Sequence, residues 1–135
     1  MFAVARRATL LFPSPSARDE NGKHLFIILT DPCGPANQVL MVSVATLRDK
    51  GCDVTCVLRP GDHDFIKVDS YIAYSFCRLE GADKLVTAVR NGALADKGLL
   101  DEKIFNSVLA GLRKSRSVKP FVVQFLDDCA RRNKN

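Results

Sequence analysis

Few side chains in this 135-residue chain can move a proton near neutral pH, and they are grouped. Its two histidines, His24 and His63, fall at the edges of strand-like runs, with Thr46, Arg59, Lys67 and Ser70 at comparable strand ends or in adjacent loops. That set suits cleavage of an RNA phosphodiester without a metal. The reaction needs a base near the 2′-hydroxyl, an acid near the leaving oxygen, and donors for the charged transition state. Histidine fits either proton role because its unperturbed pKa is near ~6.5. In this reading His24 and His63 share the acid and base roles and Thr46, Lys67 and Ser70 hold the phosphate. Arg59 stabilises charge. The plainer reading of each histidine is a solvated or hydrogen-bonded residue at the end of a strand.

Other chemistries find less support. Cys52, Cys56 and His63 are ligand types, but a zinc site needs four ligands at workable spacing, and Cys56 lies inside an apolar run. No metal or cofactor is therefore expected. A nucleophilic serine or cysteine needs a histidine and an orienting group, and neither a GxSxG motif nor a cysteine in a Gly-rich turn is present. No Gly-rich phosphate loop occurs, and no apolar run approaches the ~20 residues that cross a bilayer. The five cysteines, an odd number at scattered positions, read as reduced thiols of a cytoplasmic protein.

The elements that must position these residues follow from periodicity. Leu25–Leu29 and Val39–Thr46 are nearly continuous apolar runs, the mark of strands buried on both faces. Val54–Leu58, His63–Val68 and Ser70–Leu79 follow, separated by turn residues such as Pro60-Gly61-Asp62. Five strands in so short a stretch leave no room for crossover helices, so the sheet should be antiparallel and suited to a small closed barrel. After Gly81 the period changes. Helices are expected over 82–91, over 101–112 with Asp101 as cap, and over 120–130 with Pro120 in the first turn. Strands first and helices second is α+β organisation. Residues 1–23 read as a flexible arm, rich in Arg, Ser and Pro before residue 19 like a transit peptide, with Asn21-Gly22 as a turn. Residues 24–135 read as one domain, with the barrel in 24–80 and the helical part in 81–135.

Charge divides unevenly. The net +5 resides at the ends, +2 in residues 1–23 and +5 in 112–135, while 24–111 carries −2. A polyanion would meet the C-terminal segment first, unless that segment is simply a solvated tail.

The runs HLFIILTDP, VLMVSVATL and DSYIAYSFCRL, in that order, resemble the PemK/MazF-like toxins. The resemblance covers about residues 24–80. It implies an SH3-like barrel with added helices, a homodimer, metal-independent cleavage of single-stranded RNA, and an antitoxin-like protein partner. His24 stands where that family has the arginine of an Arg-Pro pair. Thr46 matches the hydroxyl ending the second long strand, and Ser70 the serine opening a later one. The alternative is a non-enzymatic protein-interaction module of a toxin–antitoxin or phage-defence pair. The −2 charge of the β-rich part and the scarcity of Tyr and Trp favour that alternative modestly.

Overall fold

The structure, a computed structural model, describes residues 2–13 and 23–133. Asn21-Gly22 and the serines of the Pro-Ser run lie outside them. In chain order the elements are β1 (Ala8–Pro13), β2 (Lys23–Ile28), β3 (Gln38–Thr46), β4 (Val57–Leu58), β5 (Ser70–Gly81), α1 (Ala82–Arg90), β6 (Ala95–Leu99), α2 (Glu102–Lys114) and α3 (Pro120–Asn133). Among the described residues, six strands form one sheet in the order β4-β5-β3-β2-β1-β6, and every pairing is antiparallel. The fold is α+β, a curled half-barrel with helices on both faces.

Alternation along the strands explains why both faces are covered. Leu25, Ile27 and Leu29 join Leu40, Val42 and Val44 in the larger core, which α2 and α3 complete through Phe105, Val108, Leu112 and Val122. The residues between them, Phe26, Ile28, Val39 and Met41, face the other way and pack with Leu85 of α1 and Leu94. A sheet buried on two sides needs runs that are apolar at every position, as β2 and β3 are.

Four expectations are corrected by the fold. Residues 8–13 are not a loose arm: β1 pairs with both β2 and β6, and Ala8 to Leu11 are buried. The sheet therefore begins well before residue 24, and β6 falls between α1 and α2 rather than before all helices. Residues 63–68, expected as a strand, form turns and irregular chain in which only Ile66 is buried. The expected helices are present, and Asp101 caps α2 by accepting from the N–H groups of Lys103 and Ile104. The cysteine reading also changes, because Cys33 and Cys129 form a disulfide tying α3 to the β2–β3 loop.

β5 carries a large irregularity opposite Val42. Met41 pairs with Arg78, but Ser43 pairs with Ala73, so Tyr74 to Cys77 bulge out of register. The bulge sends Tyr74 fully into the core, where its hydroxyl donates to the Val108 carbonyl of α2 at 2.7 Å, and leaves Phe76 66% exposed.

Candidate functional site

At the end of the sheet where β2 begins and β3 ends, a cleft of about 270 Å³ opens between the strands and the loop joining β4 to β5. Its position follows from register. Leu25 lies opposite Val44, which brings Lys23 and His24 beside Thr46 and Ala45. Thr46 lies opposite Ser70, and Ala45 opposite Tyr71. The inward row Leu25, Val44 and Ile72 is thus continued at the open end by Lys23, Thr46 and Ser70, where apolar side chains give way to hydroxyls and an amine. His24 and Tyr71, one residue along, alternate to the opposite side and border the cleft. The loop supplies the facing wall through Phe65, Lys67 and Val68, with Ile66 inserted into the core beneath them.

The electrostatics are one-sided. Lys23, Arg48 and Lys67 line the cleft and no carboxylate does. All three cations are exposed, as is His24. Ser70 is buried, and its hydroxyl donates to the Val68 carbonyl at 2.9 Å, which ties the loop to the first residue of β5. The arrangement can hold an extended anion of modest width, with the Thr46 hydroxyl free to donate, the Ser70 proton committed to Val68, and one imidazole at the rim.

Four of the six residues singled out in the sequence meet here: His24, Thr46, Lys67 and Ser70. His63 and Arg59 do not line the cleft. Arg59 pairs with Asp69 at 3.0 Å across the base of the β4–β5 loop, and its N–H donates to Asp62. His63 points to the far edge of the sheet. Its Nδ1 accepts the Phe65 N–H at 3.0 Å, so the ring proton resides on Nε2. That Nε2 lies 3.0 Å from both the Lys97 carbonyl of β6 and the Thr9 hydroxyl of β1, which itself donates to the Gly98 carbonyl at 2.8 Å. Here β6 bulges against β1, with Gly98 at φ 79°. A histidine from the loop after one edge strand therefore closes the curl onto the other edge strand.

No family model matches the chain, and no curated protein matches it significantly. The cleft must speak for itself.

Sequence reasoning missed Lys23, Arg48, Phe65 and Tyr71 as cleft residues. Arg48 and Lys23 flank strand ends already singled out, so the register of β2 on β3 was the lacking datum. It also missed Thr9, the partner that explains His63, because Thr9 lay in the segment read as an arm. Among the described residues, no group of three or more His, Cys, Asp or Glu side chains is placed to hold a metal ion.

A second hollow adjoins the first. Cys52, Asp53, Val54 and Thr55 face Lys114, Arg116 and Ser117 at the corner between α2 and α3. Asp53 anchors that contact by accepting from Ser115 Oγ at 2.5 Å and from the Thr55 N–H at 3.0 Å. Partial burial works against its charge. The hydrogen bonds from Ser115, Thr55 and Ser117 outweigh it, and the carboxyl lies below its ordinary range.

Proposed function

We propose that this protein is a PemK/MazF-like, SH3-like barrel that binds single-stranded RNA in the cleft, with metal-independent cleavage as the further step its side chains allow. The observation that carries this reading is the carboxylate-free cleft in which Lys23, Arg48 and Lys67 surround His24, Thr46 and Ser70. Such a groove offers cations to the phosphates and leaves Phe65 and Tyr71 at its margin for stacking against bases. His24 is the proton-transfer group of this site. His63 serves it from a distance by holding the Phe65 N–H, and so the wall that presents Lys67. With one imidazole at the cleft instead of two, binding is better supported than cleavage.

The test is titration of the full chain with labelled single-stranded RNA. Binding should weaken with salt, with a log–log slope of about 0.7 per phosphate contacted, and Lys67→Gln should weaken it further. Should cleavage occur in EDTA, His24→Ala is expected to slow it by roughly 10²–10⁴-fold. Wild-type protein that holds no RNA at low salt would sink the proposal.

The second reading, a protein-interaction module with an antitoxin-like partner, draws on Phe121 and Val123, which α3 exposes at 39% and 47%. A homodimer belongs with the family reading. So does a cytoplasmic location, where the Cys33–Cys129 bridge would face reduction. Among the described residues, no helix is long and apolar enough to cross a membrane.

A further inference from the structure

The cleft and the hollow at the α2–α3 corner share a wall. That wall is the turn from Arg48 to Cys52, closed on itself by the Arg48 N–H donating to Cys52 Sγ at 3.3 Å. Arg48 lines the cleft on one side, and Cys52 lines the hollow on the other. Across the hollow stand Lys114 and Arg116, both exposed. Among the described residues, neither Lys114 nor Arg116 makes a salt bridge. The acidic group at that spot, Asp53, is engaged with Ser115 and Thr55.

The geometry points to a continuous path for single-stranded RNA, running from the cleft over the Arg48–Cys52 turn and onto Lys114 and Arg116. This rests on the proposed RNA-binding reading of the cleft and extends it to a second contact surface. The charge distribution agrees. The excess positive charge of the chain is concentrated in residues 112–135, yet the cleft is lined only by residues 23–71, so a polyanion that used the cleft alone would engage none of that charge, whereas the path adds Lys114 and Arg116. Asp53 has a positioning role: its bond to Ser115 sets the corner against the turn and keeps the two cationic surfaces in register. Phosphates on the corner would be held by charge without base contacts, so this part of the path contributes affinity and not sequence preference.

The experiment compares oligouridylates of 4 and 12 nucleotides, lengths that bracket a short and an extended single-strand site. Full-length protein is titrated with each at several salt concentrations. The double variant Lys114→Gln, Arg116→Gln should bind the 12-mer roughly tenfold more weakly, with a salt slope shallower by about 1.4, and bind the 4-mer as wild type does. Lys67→Gln should weaken both. A charge-matched control, Arg90→Gln with Arg132→Gln, removes two cations from α1 and from the last turn of α3 and should leave the 12-mer affinity within about twofold of wild type. Thermal melts confirm that each variant is folded. If the control loses as much as the corner variant, the effect is net charge and the path is overturned. Equal 12-mer binding by wild type and the corner variant, with Lys67→Gln impaired, overturns the path while the cleft stands. Absence of RNA binding by wild type removes both.

Discussion

The two histidines of this chain divide labour by the partners their ring nitrogens find. His63 has both nitrogens committed, to the Phe65 N–H and to the Lys97 carbonyl with Thr9. Replacing it removes the partner of a carbonyl and of an amide that water can reach, at a cost of about 0.5–1.5 kcal/mol. His63→Ala should therefore lower the urea midpoint clearly, whereas His24→Ala, at an exposed position, should shift stability by less than about 0.5 kcal/mol. Equal stability losses would contradict the division. Asp53 offers a second test at this scale. A carboxyl held below its ordinary range stabilises the fold above the unfolded pKa, near ~3.9, and that contribution is lost as pH falls through the lower folded value. Asp53→Asn should consequently destabilise the protein at pH 7 and converge with wild type in strong acid, as read from thermal melts across pH 2–7. At the residue scale the sequence was partly legible. Hydroxyls and cations at strand ends could be picked out by type, and Thr46, Lys67 and Ser70 do border one cleft. The role of His63 could not be read, because it depends on a contact with Thr9, 54 residues away in sequence.

Between elements, β5 and α2 approach closely at Gly111. Gly111 is buried, and a Cβ built there would collide with the Tyr74 hydroxyl and crowd Cys56. The absence of a side chain at 111 is what lets Tyr74 reach the Val108 carbonyl. Burial, with Cys56 beside it, holds the Tyr74 phenol protonated far above its usual range, so it remains a donor at any pH the fold survives. Gly111→Ala should cost about 1–3 kcal/mol through overpacking, despite the gain in helix propensity. Adding Tyr74→Phe, which removes the colliding oxygen, should recover part of that loss, and a denaturation-based double-mutant cycle measures the coupling. Additive losses would show that the two sites do not clash. Elements with a strong apolar signature were the legible ones. β2 and β3 announced themselves as nearly unbroken apolar runs, β5 by alternation, and α2 by Ile104, Val108 and Leu112 with Asp101 before them. β1 was hidden because its ATLLF core sits between two arginines and a Pro-Ser run. β6, sequence ADKGL, has a mostly exposed pattern and is a strand only because β1 offers it an edge.

Over the whole molecule, the order of the sheet seats β1 between β2 and the edge strand β6, and the disulfide brings α3 back onto the β2–β3 loop. The Cys33–Cys129 disulfide spans 96 residues, so it removes a large part of the freedom of the unfolded chain. Its stabilisation is expected at about 2–4 kcal/mol, and Cys33→Ser with Cys129→Ser should lower the melting temperature accordingly under non-reducing conditions. A reductant should do the same to wild type and nothing further to the double variant. The other buried thiols are of a different kind. Burial pushes the Cys77 thiol up to about 12, which leaves almost no thiolate at neutral pH, and raises Cys56 in the same direction. Neither should exchange with the bridge while the fold is intact.

The edges of the sheet have a further consequence, for how copies of the protein meet in a crowded solution. An open sheet presents unpaired backbone at two borders, and long flat borders recruit strands from neighbouring molecules into insoluble stacks. Here one border is a strand of two residues, Val57–Leu58, covering only Ser70 and Tyr71 of β5, and beyond it the edge of β5 is broken by its bulge over Tyr74 to Cys77. The other carries Asp96 and Lys97 and is bent at Gly98, where the carbonyls of Lys97 and Gly98 are already taken by His63 and Thr9. Growth of the sheet from copy to copy is blocked at both borders by geometry and charge together. Loss of the His63 contact would therefore do more than lower stability: it would uncover a border and leave the chain prone to precipitate on warming.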